Sequence, residues 1–135
     1  MSQIQIYSAV LCPFAHRVRL TLQVKGVPFE SIEIDPQNKP ANFLEISPYG
    51  KVPVLKHGDN RVWESAIVNE YLEETFPDPP LFPTEPMQRA QARIWINFAD
   101  TRLFATTGKL LYSRAPHPRA LLTELSEHLL FMEHE

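Results

Sequence analysis

The chain has 135 residues, 44% of them hydrophobic and 21% charged, with a formal net charge of −3. That length suits one compact domain and is too short for two ordinary ones. Acids and bases are mixed throughout, so no basic run points to nucleic acid, and no apolar stretch of about 20 residues points to a membrane span.

Residues 3–7 alternate apolar and polar, with Ile4 and Ile6 on one face, and predict a strand. The opening Met1-Ser2-Gln3 shows no charged region followed by an apolar run, so the expectation is a cytoplasmic protein without a secretory signal. Residues 13–25 predict a helix: Phe14, Val18 and Leu22 recur at four-residue spacing, and Gly26 stands where a C-terminal cap belongs. Residues 29–34 alternate again, giving a β-α-β unit that requires a parallel pair and a right-handed crossover. A short helical piece at 40–46 follows, closed by Ser47-Pro48-Tyr49-Gly50. Strands at 52–56 and 61–64 flank a hairpin loop, and residues 65–76 predict a helix with Val68, Leu72 and Phe76 in one row and Ile67 and Tyr71 beside it.

Residues 77–86 hold five prolines in ten positions, which excludes a helix or a central strand. They read as a linker between a domain at 1–76 and helices at 87–135. Residues 87–112 predict one long helix. Pro116 and Pro118 mark a corner, and Pro118 can open the next helix at its first position. That last helix carries a stripe of Leu122, Leu125, Leu129 and Met132, and the helix before it has Ile94, Trp95, Ile96 and Phe98 almost in sequence. Two helices cannot bury all of this against each other. The expectation is therefore an incomplete all-α domain, either a fragment of a longer protein or one covered by another subunit.

One cysteine is present, so no internal disulfide can form, which suits a reducing compartment. The spacings of His16, His57, His117, His128 and His134 match no metal motif, and no metal is expected. Cys12 precedes Pro13 at a helix start, where unpaired N–H groups and the positive dipole end favour the thiolate. A lone cysteine also serves as a small buried hydrophobe. His16, one turn on, either projects toward the same face or stays an exposed helix residue. A two-cysteine redox motif would need cysteine at position 15, where Ala15 stands, so any mixed disulfide on Cys12 must be resolved by a thiol from solution.

The element order, with Cys12-Pro13-Phe14-Ala15-His16-Arg17-Val18, resembles the glutathione transferase superfamily, in particular its cysteine-type omega, lambda and dehydroascorbate-reductase classes. The resemblance implies a thioredoxin-like α/β domain (βαβ-α-ββα) followed by the start of an all-α domain. It implies an enzyme in which Cys12 carries glutathione-dependent thiol transfer. Glutathione would be co-substrate, and a small electrophile, disulfide, dehydroascorbate or glutathionylated thiol the second substrate. Val52-Pro53-Val54 is similar to the superfamily's cis-proline step, which offers the Val52 backbone to the cysteinyl unit of glutathione; a trans turn proline is the plainer alternative. Glu64-Ser65 is similar to the acidic-residue-plus-serine step that takes the γ-glutamyl group. Ser65 would also serve as an ordinary helix cap. Lys39 aligns with a lysine near the ligand, or is a solvated loop residue. Phe14 walls the thiol pocket, or belongs to the core. Relatives commonly form homodimers. The 70–72 and 76–81 segments also resemble stringent starvation protein A, a polymerase-binding member of the fold without catalysis. Glutathionyl-hydroquinone reductases share Ala15-His16-Arg17 but have tryptophan in place of Phe14.

Overall fold

Ile4, Ile6 and Ser8 point inward from strand β1 (Ile4–Ser8), while Gln5 and Tyr7 are half-buried on its other side, the two-residue period of a strand. The structure, a computed structural model, describes residues 3–112 and 118–135; the corner expected at Pro116 lies outside them. Helix α1 (Pro13–Val24) returns the chain to β2 (Glu30–Glu33), which pairs parallel to β1 with Ile6 opposite Ser31. The short α2 (Phe43–Ile46) leads to the hairpin of β3 (Val54–His57) and β4 (Asn60–Trp63). Strand β3 runs antiparallel to β1 with Leu55 opposite Ile6, so the sheet order is β2-β1-β3-β4. Helix α3 (Ser65–Thr75) packs beside α1, and Val18, Leu22, Val68 and Leu72 meet Ile4, Ile6 and Leu55 in one core. Each of these side chains contributes about 2 kcal/mol of burial. This is the thioredoxin-like arrangement that the sequence predicts.

The inward row of α1 differs by one residue from the expected one. Ala15, Val18 and Leu22 are buried, whereas Phe14 is only half-buried. On α3, Ile67 is exposed, not packed beside the core row. Helix α1 ends as its glycine predicts. Gly26 has φ 63°, its N–H reaches the Gln23 carbonyl, and the Val27 N–H reaches the Leu22 carbonyl, both at 3.0 Å.

Two compact units divide the chain, Met1–Leu81 and Phe82–Glu135. The proline-rich stretch is not a free tether in either. In the first unit the Lys25 ammonium, fully buried, pairs with Glu73 at 2.7 Å and donates to the carbonyls of Phe76 at 2.7 Å and Pro79 at 2.9 Å. Glu73 also accepts from the Leu81 N–H at 3.0 Å. In the second unit the Arg89 and Arg93 guanidinium carbons lie 5.2 and 5.6 Å from the Phe82 ring centroid, and Arg89 donates to the Pro83 carbonyl.

The second unit departs from the single long helix expected over 87–112. Helix α4 (Pro86–Phe98) starts one residue earlier, because Pro86 fits the first helical position and Glu85 caps it, accepting from the N–H groups of Met87 and Gln88 at 3.0 and 2.8 Å. A π-helical turn, Ala99–Leu103, then widens the backbone before α5 (Phe104–Tyr112). Helix α6 (Pro118–His134) opens at Pro118 as predicted. Its inward contacts are Glu124 on Thr106, and His128 and Phe131 against Phe98. Of the expected stripe, Leu122, Leu129 and Met132 stay 53%, 51% and 40% exposed.

Candidate functional site

The turn between β1 and α1 is held in place before the cysteine is reached. Arg19, reaching back along its own helix, donates to the Ser8 hydroxyl and to the Ala9 and Val10 carbonyls. The Val10 N–H is taken by the Glu33 carboxylate at 2.6 Å. Cys12 occupies the cap position of α1 with extended backbone (φ −80°, ψ 114°), its N–H on the Ala9 carbonyl and its carbonyl receiving the His16 N–H. The thiol is half-buried, and Sγ donates to the Val52 carbonyl at 3.9 Å. Cys12 is thus not a closed core residue. Val10 and Leu11, immediately before it, are largely exposed. His16 is exposed, and its Nδ1 lies 3.3 Å from Arg19 Nη2. A guanidinium has only donors, so in a hydrogen bond between the two Nδ1 is the acceptor.

Opposite the thiol, the Val52–Pro53 peptide bond is cis and Pro53 is buried. The turn before it is self-contained: Ser47 Oγ accepts from the Lys51 N–H at 2.9 Å and donates to the Lys51 carbonyl at 2.7 Å. Lys39 is not merely solvated. Its ammonium donates to the Gly50 carbonyl at 2.6 Å, which ties the loop after β2 to the turn that presents Val52.

At the start of α3, Glu64 and not Ser65 holds the cap position, so the expected capping role of Ser65 is corrected. The cause is the Glu64 backbone. At φ 67° it lies in the left-handed half of conformational space, which a non-glycine residue adopts at a cost of about 1–3 kcal/mol. Ser65 is thereby turned inward as the first helical residue, only 4% exposed, while Glu64 stays exposed. The Ser65 hydroxyl meets Arg17, whose Nε and Nη2 lie 3.0 and 2.6 Å from Oγ. Arg17 also lies over the Phe14 ring, 5.4 Å from its centroid, so Phe14 carries the guanidinium on one side.

The structure therefore brings Cys12 to Val52, Lys39 to the Val52 turn, and Phe14 through Arg17 to Ser65. Arg17, Arg19 and Glu33 were not anticipated. The available signal was two arginines in one turn of a helix whose neighbours are core residues. Among the described residues no group of three His, Cys, Asp or Glu side chains could hold a metal, and no helix is long and apolar enough to cross a membrane.

The thiol at this helix start faces the backbone of a cis-proline turn on a four-stranded mixed sheet of thioredoxin-like order. Residues 6–80 match the family model "Glutathione S-transferase, N-terminal domain", more than half of the chain, and the protein belongs to that family. A probable glutathione transferase from Aplysia californica is 48% identical over 88 residues, 65% of this chain and 96% of that one. The crystal structure of rice GST1 in complex with glutathione has a TM-score of 0.88 at 30% identity, covering 99% of this chain and 62% of the other. Glutathione transferase Omega 3C from Trametes versicolor gives 0.83 at 29%, covering 96% and 57%. The chain spans about half the length of the plant curated relatives it matches.

Proposed function

We propose that this protein is a cysteine-type glutathione transferase that moves glutathionyl groups through a mixed disulfide on Cys12. The observation that carries the reading is the placement of the chain's one cysteine, half-buried at the start of α1 with Sγ toward the Val52 carbonyl. In the first step the Cys12 thiolate attacks the glutathione sulfur of a glutathionylated thiol. The Cys12–glutathione disulfide forms, and the substrate leaves as a thiolate that takes a proton. In the second step a glutathione thiolate attacks the same glutathione sulfur, releasing oxidised glutathione and regenerating the Cys12 thiolate. With no second cysteine in the chain, the resolving thiol comes from solution. Oxidised glutathione or another small disulfide enters by the same first step, and reduction of dehydroascorbate by two glutathiones fits the same monothiol chemistry.

The glutathione cysteinyl unit pairs with the Val52 backbone, its γ-glutamyl carboxylate sits at the start of α3 with Ser65, and Glu64 faces its ammonium group. Lys39 holds the turn between them. The protein works in the cytoplasm and associates through apolar helical surface, of which Leu122 and Leu129 are examples. Incubation with oxidised glutathione followed by mass spectrometry tests the chemistry. A single adduct of one glutathione, mapped to Cys12 and absent from Cys12→Ser, is expected. Undiminished thiol transfer by Cys12→Ser would refute it.

A further inference from the structure

Arg19 and Glu33 take no part in the bond exchange, yet between them they hold the chain that leads into Cys12. The Arg19 guanidinium donates through Nη1 to the Ser8 hydroxyl and, at 3.3 Å, to the Ala9 carbonyl. Its Nη2 reaches the Val10 carbonyl at 3.4 Å. The Glu33 carboxylate takes the Val10 N–H at 2.6 Å, so both backbone groups of Val10 end on charged side chains. Apolar burial does little to hold this turn: Val10 and Leu11 are 69% and 80% exposed, and Ala9, though buried, is small. Both grips come from regular elements. Arg19 belongs to α1, which Val18 and Leu22 seat on the sheet, and Glu33 ends β2 opposite Ser8. The Ala9 carbonyl that Arg19 reaches also accepts the Cys12 N–H at 3.1 Å, which passes the constraint on to the cysteine.

We propose that Arg19 and Glu33 are a pair of positioning residues that aim the Cys12 sulfur. By fixing residues 8–10 they hold the thiol toward the Val52 carbonyl, in line for attack on a bound disulfide. The inference rests on the reading of Cys12 as the glutathione-exchanging thiol. In that step the Cys12 thiolate bonds to one sulfur of oxidised glutathione. The sulfur–sulfur bond breaks, and the departing glutathione thiolate takes a proton from solvent. Attack needs the three sulfurs nearly in line, and a misplacement of about 1 Å can cost about a hundredfold in rate. A lysine at position 19 would bring a point charge without the planar fork that reaches three successive residues.

The test compares two reactions of the same sulfur in the purified protein. One is adduct formation with saturating oxidised glutathione, followed by mass spectrometry in a single turnover. The other is alkylation by iodoacetamide, which needs no bound orientation. Both rates scale with the thiolate fraction, so their ratio, an effective molarity, cancels ionisation and reads direction. Glu33→Met should lower the ratio by about tenfold or more, with the half-saturating concentration of oxidised glutathione within about twofold of the parent's. Glu33→Gln keeps an acceptor oxygen for the Val10 N–H and should recover most of the loss. Arg19→Met should lower the ratio at least as far, and Arg19→Lys should fall between. If Arg19→Met does not fold, the two Glu33 variants decide. A Glu33→Met ratio within about twofold of the parent's, whether both rates fall together or neither does, would overturn the proposal and leave the grip a plain structural contact. If the parent is alkylated but forms no adduct with oxidised glutathione, the exchange reading of Cys12 fails instead, and the proposal falls with it by a separate result.

Discussion

Buried charge and strained backbone are concentrated at a few residues, and each makes its own demand. Lys25 is the extreme case. Its ammonium is out of water and balanced by Glu73 together with two carbonyls. Removing one member of a buried pair costs more than the pair is worth, because the remaining groups are left unsatisfied. Lys25→Met is therefore expected to destabilise the first unit by about 3 kcal/mol, read as a lower urea midpoint at unchanged slope. Lys39 differs because its contact is a tether near the surface. Lys39→Met should leave the urea midpoint nearly unchanged and raise the KM for glutathione through a looser Val52 turn; an unaltered KM would leave the Lys39–Gly50 contact with no part in glutathione binding. Nothing in the local sequence distinguishes the two lysines. Lys25 looks like an ordinary last-turn lysine, and its partners lie 48 to 54 residues further on.

At the scale of elements, local signals were legible where the chain satisfies itself over short range. Pro13 at the first turn of α1, Gly26 past its end and Pro118 at the start of α6 all stand where their stereochemistry predicts. Long-range partners were not legible. The Arg17–Ser65 contact spans 48 residues, and the π-helical turn interrupts 87–112 without a proline or glycine to announce it. Helix α4 offers a test of capping. Glu85 has its carboxyl held below the ordinary value of 4.5, chiefly by the Met87 N–H and then by that of Gln88. A depressed carboxyl stabilises the folded form above its unfolded pKa and loses that contribution as pH falls through the folded value. Glu85→Ala should thus melt earlier than the parent at pH 7, with the gap closing progressively as the pH drops below 4.5. A gap independent of pH would point to propensity instead of the cap.

Across the whole chain, the two units differ in how much apolar core they bury. The first has a continuous core under its two long helices, whereas α6 keeps Leu122, Leu129, Leu130 and Phe131 at least half exposed. Surfaces of that kind associate. Leu129→Glu with Leu122→Glu should lower the sedimentation coefficient at high protein concentration and leave the circular-dichroism spectrum unchanged. An unchanged sedimentation profile would rule out association through this face.

The backbone of Glu64 has a consequence for how the molecule can change over generations. Replacing it by glycine would relieve about 1–3 kcal/mol of conformational strain while giving back about 0.5–1 kcal/mol in unfolded-chain freedom. Heat tolerance is thus available from a single substitution, and its cost would be the carboxylate that we propose meets the ammonium group of glutathione. A lineage selected for durability alone would drift toward glycine here, and one selected for turnover would keep the acid.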